Sequence, residues 1–536
     1  MMAPNGQPIF IMQEGTEQKR GRNAQSNNIS AAKAVGDAVR STLGPKGMDK
    51  MLVDNTGQVV VTNDGATILR EIGIEHPAAK MVVAVAQTQE SRCYDGTTSA
   101  VVLASELLRR AEGLLEKGIH PSTICSGFQI GLHAALGVVD EVSEKTKKEI
   151  GSAPMLHIAS TSLTGKSAES SRDLLATLCV DAVNTAGNLE DIRILTLTGG
   201  SVEDTWLFEG VAVEKDKAHP RLPDLSEGPV AILSCALEAK KGAMEAQVQI
   251  TNPDQVAAFL EEEENAIKDM VQKLVDLKVS AVFVQKGVDD LAIHYLRRND
   301  ILVVEKVVRS DLDALCKATG SSMVSDLNDL KKEDMGLAIC RVNSEFDNPF
   351  ITVKPCHKAS GVPTPVSIIT MGSTPHVAAE IERALDDALG VLWLTTQNNE
   401  YTVGGGATHV EIAKKLSELS QGIGSRTSMA IAEFGEAMLA IPQTIGENAG
   451  LDPVDVALDL VAQHNAGGWQ EAIRIPLDGE VGGPPTVDAI TVRLVEPKEV
   501  VVQALKSATE AAVMILRIDD VIMMKAENPS PMQGMG

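Results

Sequence analysis

Helix-forming sequence lies at both ends of the chain and brackets a stretch of a different kind. From residue 29 to about 147, apolar residues recur at three- and four-residue spacing. The pattern is clearest over 97–117, where Val101, Ala104, Leu108, Ala111 and Leu115 share one face. Gly118 followed by His120-Pro121 ends that helix. Helical patterns return over about 408–470 and 496–520. Between them, short β-rich runs at 229–235, 279–285, 301–305 and 337–342 alternate with helices, an α/β module of about 150 residues. Helical sequence on both sides predicts a discontinuous base domain with other domains inserted into it. The length of 536 residues agrees, since about 150 residues per domain gives three to four domains.

Composition narrows the function classes. The chain carries 48 basic and 73 acidic residues, a net charge of −25. Such a surface repels phosphate backbones and anionic lipid, so nucleic acid and membrane partners are disfavoured. Hydrophobic residues make up 44%, enough for a large core, and aromatics only 3%, which implies packing by aliphatic side chains. The first twenty residues lack the apolar stretch of a signal peptide, and no run reaches 18 uninterrupted apolar residues. Seven scattered cysteines without a Cys-x-x-Cys argue against a disulfide framework or zinc site and suit a reducing cytoplasm.

Three glycine-rich turns adjoin hydroxyls or carboxylates. Leu43-Gly44-Pro45-Lys46-Gly47 offers free backbone amides and one lysine, which can hold a phosphate. Asp95-Gly96-Thr97-Thr98-Ser99 opens the 97–117 helix; helix N-terminal amides and three hydroxyls favour an anion, and the aspartate suits a Mg²⁺ that bridges phosphates. Gly404-Gly405-Gly406 precedes another helix, and Asn63-Asp64-Gly65 places a further carboxylate in a turn. Each also has an ordinary reading. A glycine turn before a helix is most often only a turn, and Asp-Gly at 64–65 and 95–96 reads by default as a hairpin turn. The ordinary P-loop pattern is missing from the sequence. Spacing alone stops at a phosphate binder.

The wording of these segments is familiar. LGPKGMDKMLVD at 43–54, VTNDGATILREIGIEHPAAKM at 61–81 and DGTTSAVVLASELL at 95–108 resemble the group II chaperonins. So do TSLTGK at 161–166, VGGGATHVEIAKKL at 403–416, ENAGLDPVD at 447–455 and LRIDDVI at 516–522. Within that family the chain looks most like the archaeal thermosome subunits. The resemblance covers roughly residues 16–522 and is poorest over 465–500.

The resemblance implies an α+β multidomain fold with three parts. A helical equatorial domain would be built from 1–145 and 403–536, a small α/β intermediate domain from 146–214 and 368–402, and an α/β apical domain from 215–367 with a helical protrusion near 243–272. It implies two stacked rings of self or sibling subunits that use ATP and Mg²⁺ to enclose unfolded protein. On the family pattern Leu43, Gly44 and Pro45 line the nucleotide and Lys46 lies close to its phosphates. Asp95 coordinates the Mg²⁺, and Gly96, Thr97, Thr98 and Ser99 hold phosphates. Asp64 lies near the γ-phosphate, Lys166 senses it, and Gly404, Gly405 and Gly406 pass the ribose. In the protrusion, Asn252-Pro253 starts a helix with Val256, Phe259, Leu260, Ile267, Met270 and Val271 on one side and Glu261 to Glu264 on the other. Phe259 and Leu260 are its candidate client contacts. The plainer reading is an amphipathic helix packed on its own domain.

Three departures bear on mechanism. Where the family has Gly-Asp-Gly-Thr-Thr, this chain has Tyr94 before Asp95, losing easy access to positive φ. Where the family has an Asp-Gly ahead of the glycine triplet, this chain has Asn398-Asn399. That aspartate is the carboxylate expected to activate the attacking water, and an amide cannot accept its proton. If the stretch is a strand, Glu400 shares a face with Asn398 but sits about 6.6 Å along it, too far to substitute directly. The segment 472–486, with Pro476, Pro484 and Pro485, departs from the family pattern near adenine and ribose. The leading expectation is an ATP-binding chaperonin subunit with slow hydrolysis. The alternatives are a fully active folding ATPase and a non-hydrolysing accessory subunit. A metabolic α/β enzyme has no catalytic triad, metal cluster or dinucleotide fingerprint to support it.

Overall fold

The computed structural model of the chain describes residues 17–53, 57, 59–150, 154–166, 171–238, 253–344, 348–356, 363–476 and 484–523; the side chains of 17–20, 253–260 and 523 lie outside that description. Two compact units make up the chain. One comprises Met1–Thr161 with Gln397–Gly536, the other Ser162–Thr396.

The first unit is helical. Its centre is the helix Thr97–Glu116, in which Val101, Ala104, Leu108 and Ala111 are fully buried and Leu115 is half-buried. Around it pack Arg22–Arg40, Pro77–Cys93, Arg426–Met438 and Lys498–Leu516. The apolar stretches 81–86 and 511–516 fall inside two of these helices. Pro121–Ile150 is long and apolar enough, by length and composition, to span a membrane. One stripe of it, with Ile124, Phe128, Ala135, Val139 and Val142, is instead buried in the helical core.

Small antiparallel pairs punctuate this unit. Glu17–Arg20 pairs with Asp520–Met523 and Lys50–Val53 with Val59–Thr62. Tyr401–Val403 pairs with Val495–Pro497, and Glu471–Ile473 with Thr486–Asp488. The last pair frames the divergent proline-containing segment.

The second unit holds two sheets. The larger runs in the order Val211–Val213, Phe350–Pro355, Gly336–Asn343, Leu225–Leu233, Ala281–Val284, Leu302–Val304, with Met323–Val324 also beside Leu225–Leu233. The strands 225–233, 281–284 and 302–304 are parallel and joined through the helices Pro253–Asp276 and Asp290–Arg298, a βαβ arrangement. All four β-rich runs of the sequence become strands here. The smaller sheet joins Ile192–Thr198, Val366–Gly372 and Trp206–Phe208. Val366–Gly372 is buried throughout, the mark of a strand covered on both faces.

In Pro253–Asp276, Ile267, Val271 and Leu274 belong to the core of this unit and Met270 packs against it. That half of the helix follows the plainer reading, an amphipathic helix on its own domain. The side chains of Phe259 and Leu260 lie outside the described residues.

Candidate functional site

Neither Asp-Gly pair is a hairpin turn. Asp64 is the N-cap of the helix Gly65–Glu71, its carboxylate accepting from the amides of Ala66 at 3.3 Å and Thr67 at 2.7 Å. Gly96 is the N-cap of Thr97–Glu116, at φ 75°. The hairpin default fails because a helical pattern follows each pair at once, and a short acceptor or a glycine is what a helix start selects.

These two helix starts meet. Thr97 Oγ1 donates to Asp64 Oδ1 at 3.1 Å. Asp64 thus accepts three hydrogen bonds, out of about four acceptor sites on a carboxylate. Asp95 Oδ1 accepts from the Gly96 amide at 2.7 Å, and Oδ2 has no partner among the described residues. Thr97 and Thr98 are buried and Ser99 half-buried, beside the positive end of a 20-residue helix. Hydroxyls, unpaired amides and one uncommitted carboxylate oxygen suit an anion escorted by a cation.

Two further elements hold the other turns. The helix Ala440–Asn448 supports the 43–47 turn: Asn448 Nδ2 donates to the carbonyls of Leu43 at 2.7 Å and Arg40 at 3.1 Å, and Ile445 packs under Gly44. Leu43, Gly44 and Pro45 are half-buried, and Lys46 is exposed. The same helix sets Pro442 against Gly406, where any Cβ would come within 2.8 Å of it. Gly405 and Gly406 hold φ of 62° and 82°, and Gly404 donates its amide to Leu494 O at 3.0 Å. Glycine is required here both by φ and by space.

The segment 495–500 joins the last two turns. Thr402, just ahead of Gly404, faces Glu496 across the strand pair. Gln89, fully buried, donates to Asp95 O at 2.9 Å and Val500 O at 3.1 Å, while Val500 crowds Gly96 so that a Cβ there would meet it at 2.7 Å. The half-buried Glu496 has its carboxyl pushed up to about 8, by burial first and by the charge of Asp95 second. The buried Thr402 hydroxyl on the opposite strand has no partner among the described residues. Asn448, Gln89 and Glu496 were not singled out from sequence. The one local signal was Glu496-Pro497 closing a β-run; the other two act through contacts that only the fold creates.

Tyr94 adopts φ 60° and is the left-handed cap of Pro77–Cys93. Tyr94 therefore holds a positive φ without glycine, in the left-handed region that glycine reaches freely.

Asn398 is the exposed last residue of the helix Pro375–Asn398, and Asn399 follows at φ 48°. The strand geometry considered for Asn398 and Glu400 is thus incorrect, because the strand begins only at Tyr401. Glu400 is moreover committed: its Oε2 lies 2.9 Å from Lys498 Nζ, which also pairs with Asp140 at 2.8 Å. Lys147 Nζ donates to Asn399 O at 3.1 Å. In the second unit, Lys166 pairs with Asp387 at 2.5 Å.

Known proteins resemble the chain along nearly its whole length. The TCP-1/cpn60 chaperonin family matches residues 35–526. The chain is 42% identical to thermosome subunit alpha of Thermoplasma acidophilum over 98% of its own length and 96% of that relative. It is 43% identical to thermosome subunit beta of Methanothermobacter thermautotrophicus, covering 100% and 99%. With the thermosome subunit of Methanopyrus kandleri it shares 44%, over 97% and 96%.

Proposed function

The chain belongs to the TCP-1/cpn60 chaperonin family, and on that premise we propose that it binds ATP with Mg²⁺ at the junction of the four turns and hydrolyses it slowly. The observation that carries the reading is the Asp64–Thr97 hydrogen bond beside Asp95, which gathers two carboxylates and a helix start at one place. At Gly96, Gly405 and Gly406 a Cβ would collide with Val500, Leu494 and Pro442, so glycine keeps these turns close against their supports. Mg²⁺, when bound, neutralises phosphate charge. Asp95 would hold it through Oδ2; Gly96, Thr97, Thr98 and Ser99 would donate to phosphate oxygens, with Lys46 nearby. Leu43, Gly44 and Pro45 would line the nucleotide, and Gly404, Gly405 and Gly406 the ribose side. Lys166 belongs to the same proposal as the phosphate sensor, as do Phe259 and Leu260 as client contacts.

Slow hydrolysis follows from Asn398. An amide cannot take the proton of an attacking water, and Glu400 is held by Lys498. Binding survives, because positioning and charge neutralisation are separate from proton transfer.

The proposal extends to the assembly. Equatorial, intermediate and apical domains, as delimited above, would stack in rings of self or sibling subunits in the cytoplasm and hold unfolded protein. The strand pair Lys50–Val53 and Val59–Thr62 supports association: Met51 and Val53 are 69% and 63% exposed, and the pair meets no third strand among the described residues. The test is steady-state phosphate release with Mg-ATP beside an Asn398→Asp variant. The variant should be faster by about 10²–10⁴. Equal rates would show that another group activates the water and would restore the fully active reading.

A further inference from the structure

His464 lies in the last turn of the helix Pro453–Asn465 with none of its surface exposed. Its Nδ1 is 2.9 Å from Glu411 Oε2, and its Nε2 is 2.9 Å from the carbonyl oxygen of Glu471. A carbonyl only accepts, and a carboxylate donates only when protonated. A neutral imidazole has a single N–H and can serve one of the two, so the pair holds two protons. Burial pushes the Glu411 carboxyl up, but the His464 hydrogen bond and the charges of Lys414, His464 and Lys145 outweigh it and hold it below the usual range. The ring and the carboxylate therefore share two protons, one in each hydrogen bond.

His464 ties together the two elements that grip the Gly404–Gly406 turn. Glu411 belongs to the helix Ala407–Gln421, which Gly406 caps. Glu471 begins the strand Glu471–Ile473; its neighbour Ala472 lies 3.0 Å from where a Gly405 Cβ would be, and Ile473 N donates to Gly405 O at 3.4 Å. Lys414 Nζ adds a hydrogen bond to His464 O at 2.7 Å.

We propose that His464 is a positioning residue for the nucleotide turn: its two ring nitrogens hold the strand Glu471–Ile473 to the helix Ala407–Gln421, and nucleotide affinity falls when that tie is cut. This rests on the nucleotide reading given above. Without the ring, the Glu411 carboxylate and the Glu471 carbonyl each lose a partner and the turn loosens.

The test uses the full-length protein, titrated with Mg-ADP at one pH, with backbone hydrogen exchange over 403–410 measured without nucleotide. His464→Phe removes both hydrogen bonds and should exchange faster over 403–410 and bind about tenfold more weakly. Glu411→Ala should also weaken binding, and Glu411→Gln, whose amide can donate to Nδ1 of a ring whose Nε2–H still serves Glu471, should restore it. His464→Phe that binds and exchanges like wild type overturns the inference, as does Glu411→Gln as weak as Glu411→Ala. Wild-type protein that binds no Mg-ADP overturns the nucleotide reading and this inference with it; binding indifferent to His464 and Glu411 overturns this inference alone.

Discussion

The Thr97 hydroxyl donates to the Asp64 carboxylate at 3.1 Å and so joins two helix starts that lie 33 residues apart in the chain. Gly65 permits the approach, since a Cβ there would come 2.6 Å from Thr98 Oγ1. Asp64 is fixed three times over, by two amides of its own helix and one hydroxyl of the neighbouring one. A carboxylate held that firmly pays no ordering entropy when a ligand arrives.

Asp64 therefore has separable structural and chemical parts. Asparagine caps a helix nearly as well as aspartate, so Asp64→Asn should melt within about 0.5 kcal/mol of wild type, whereas Asp64→Ala should lose about 1 kcal/mol. The asparagine variant nevertheless lacks the charge beside the proposed phosphate site, and its residual phosphate release should drop about 100-fold. Thermal melts and phosphate release on the same samples check both halves. Loss of activity only in the unstable alanine variant would reduce Asp64 to a cap.

Asn448 fastens the Leu43 turn from more than 400 residues away, through carbonyls of Leu43 and Arg40. Truncation in Asn448→Ala strands two half-buried carbonyls and should cost about 1–2 kcal/mol. Its effect on Mg-ATP should appear as a raised KM with little change in kcat, because in the proposed site the turn contacts nucleotide in ground and transition state alike. Unchanged KM would mean that the 43–47 turn stands away from the ligand.

The sequence revealed elements more readily than contacts. The run at 97–117 and the four β-rich runs are periodic on their own, and burial needs only that periodicity. Pro375–Asn398 carries an equally good pattern, with Ala378, Ile381, Leu385, Ala388 and Leu392 buried, yet went unread, and Asn398 was consequently considered as a strand residue. Asp64 and Asp95 stood out through their glycine turns, although the turns proved to be helix caps. Gln89 and Asn448 had no local signature at all. Their amides act on Val500 and Leu43, 411 and 405 residues distant, and such pairings exist only once both chain ends have packed together.

Tyr94 supplies a test of the first departure. A side chain in the left-handed region costs about 1 kcal/mol, and glycine at a helix C-terminus avoids that cost. At φ 60°, Tyr94→Gly should therefore raise stability by about 0.5–1 kcal/mol, after allowing for the greater freedom of glycine in the unfolded chain. The Asp95 turn keeps its backbone, so Mg-ADP affinity should not fall. A lower melting temperature would show that the half-buried ring contributes more by packing than its backbone costs.

His409 sets the acid limit of the helical unit. It lies in the first turn of Ala407–Gln421, 5% exposed, and neither ring nitrogen has a partner among the described residues. Burial lowers its pKa to about 4, and the positive helix end acts in the same direction. A folded value below the unfolded one of about 6.5 means that the unfolded chain takes the proton first. Stability is then constant above about pH 6.5, declines by about 1.4 kcal/mol per unit below it, and levels off near the folded value. Between pH 7.5 and 5 the loss from this residue should be about 2 kcal/mol. His409→Leu removes the titrating ring and should shrink the melting-temperature difference between those two pH values, while all other groups contribute equally to both proteins. The His464 clamp stays in place in the variant. An unchanged difference would mean that His409 is charged, or solvated, in the folded protein.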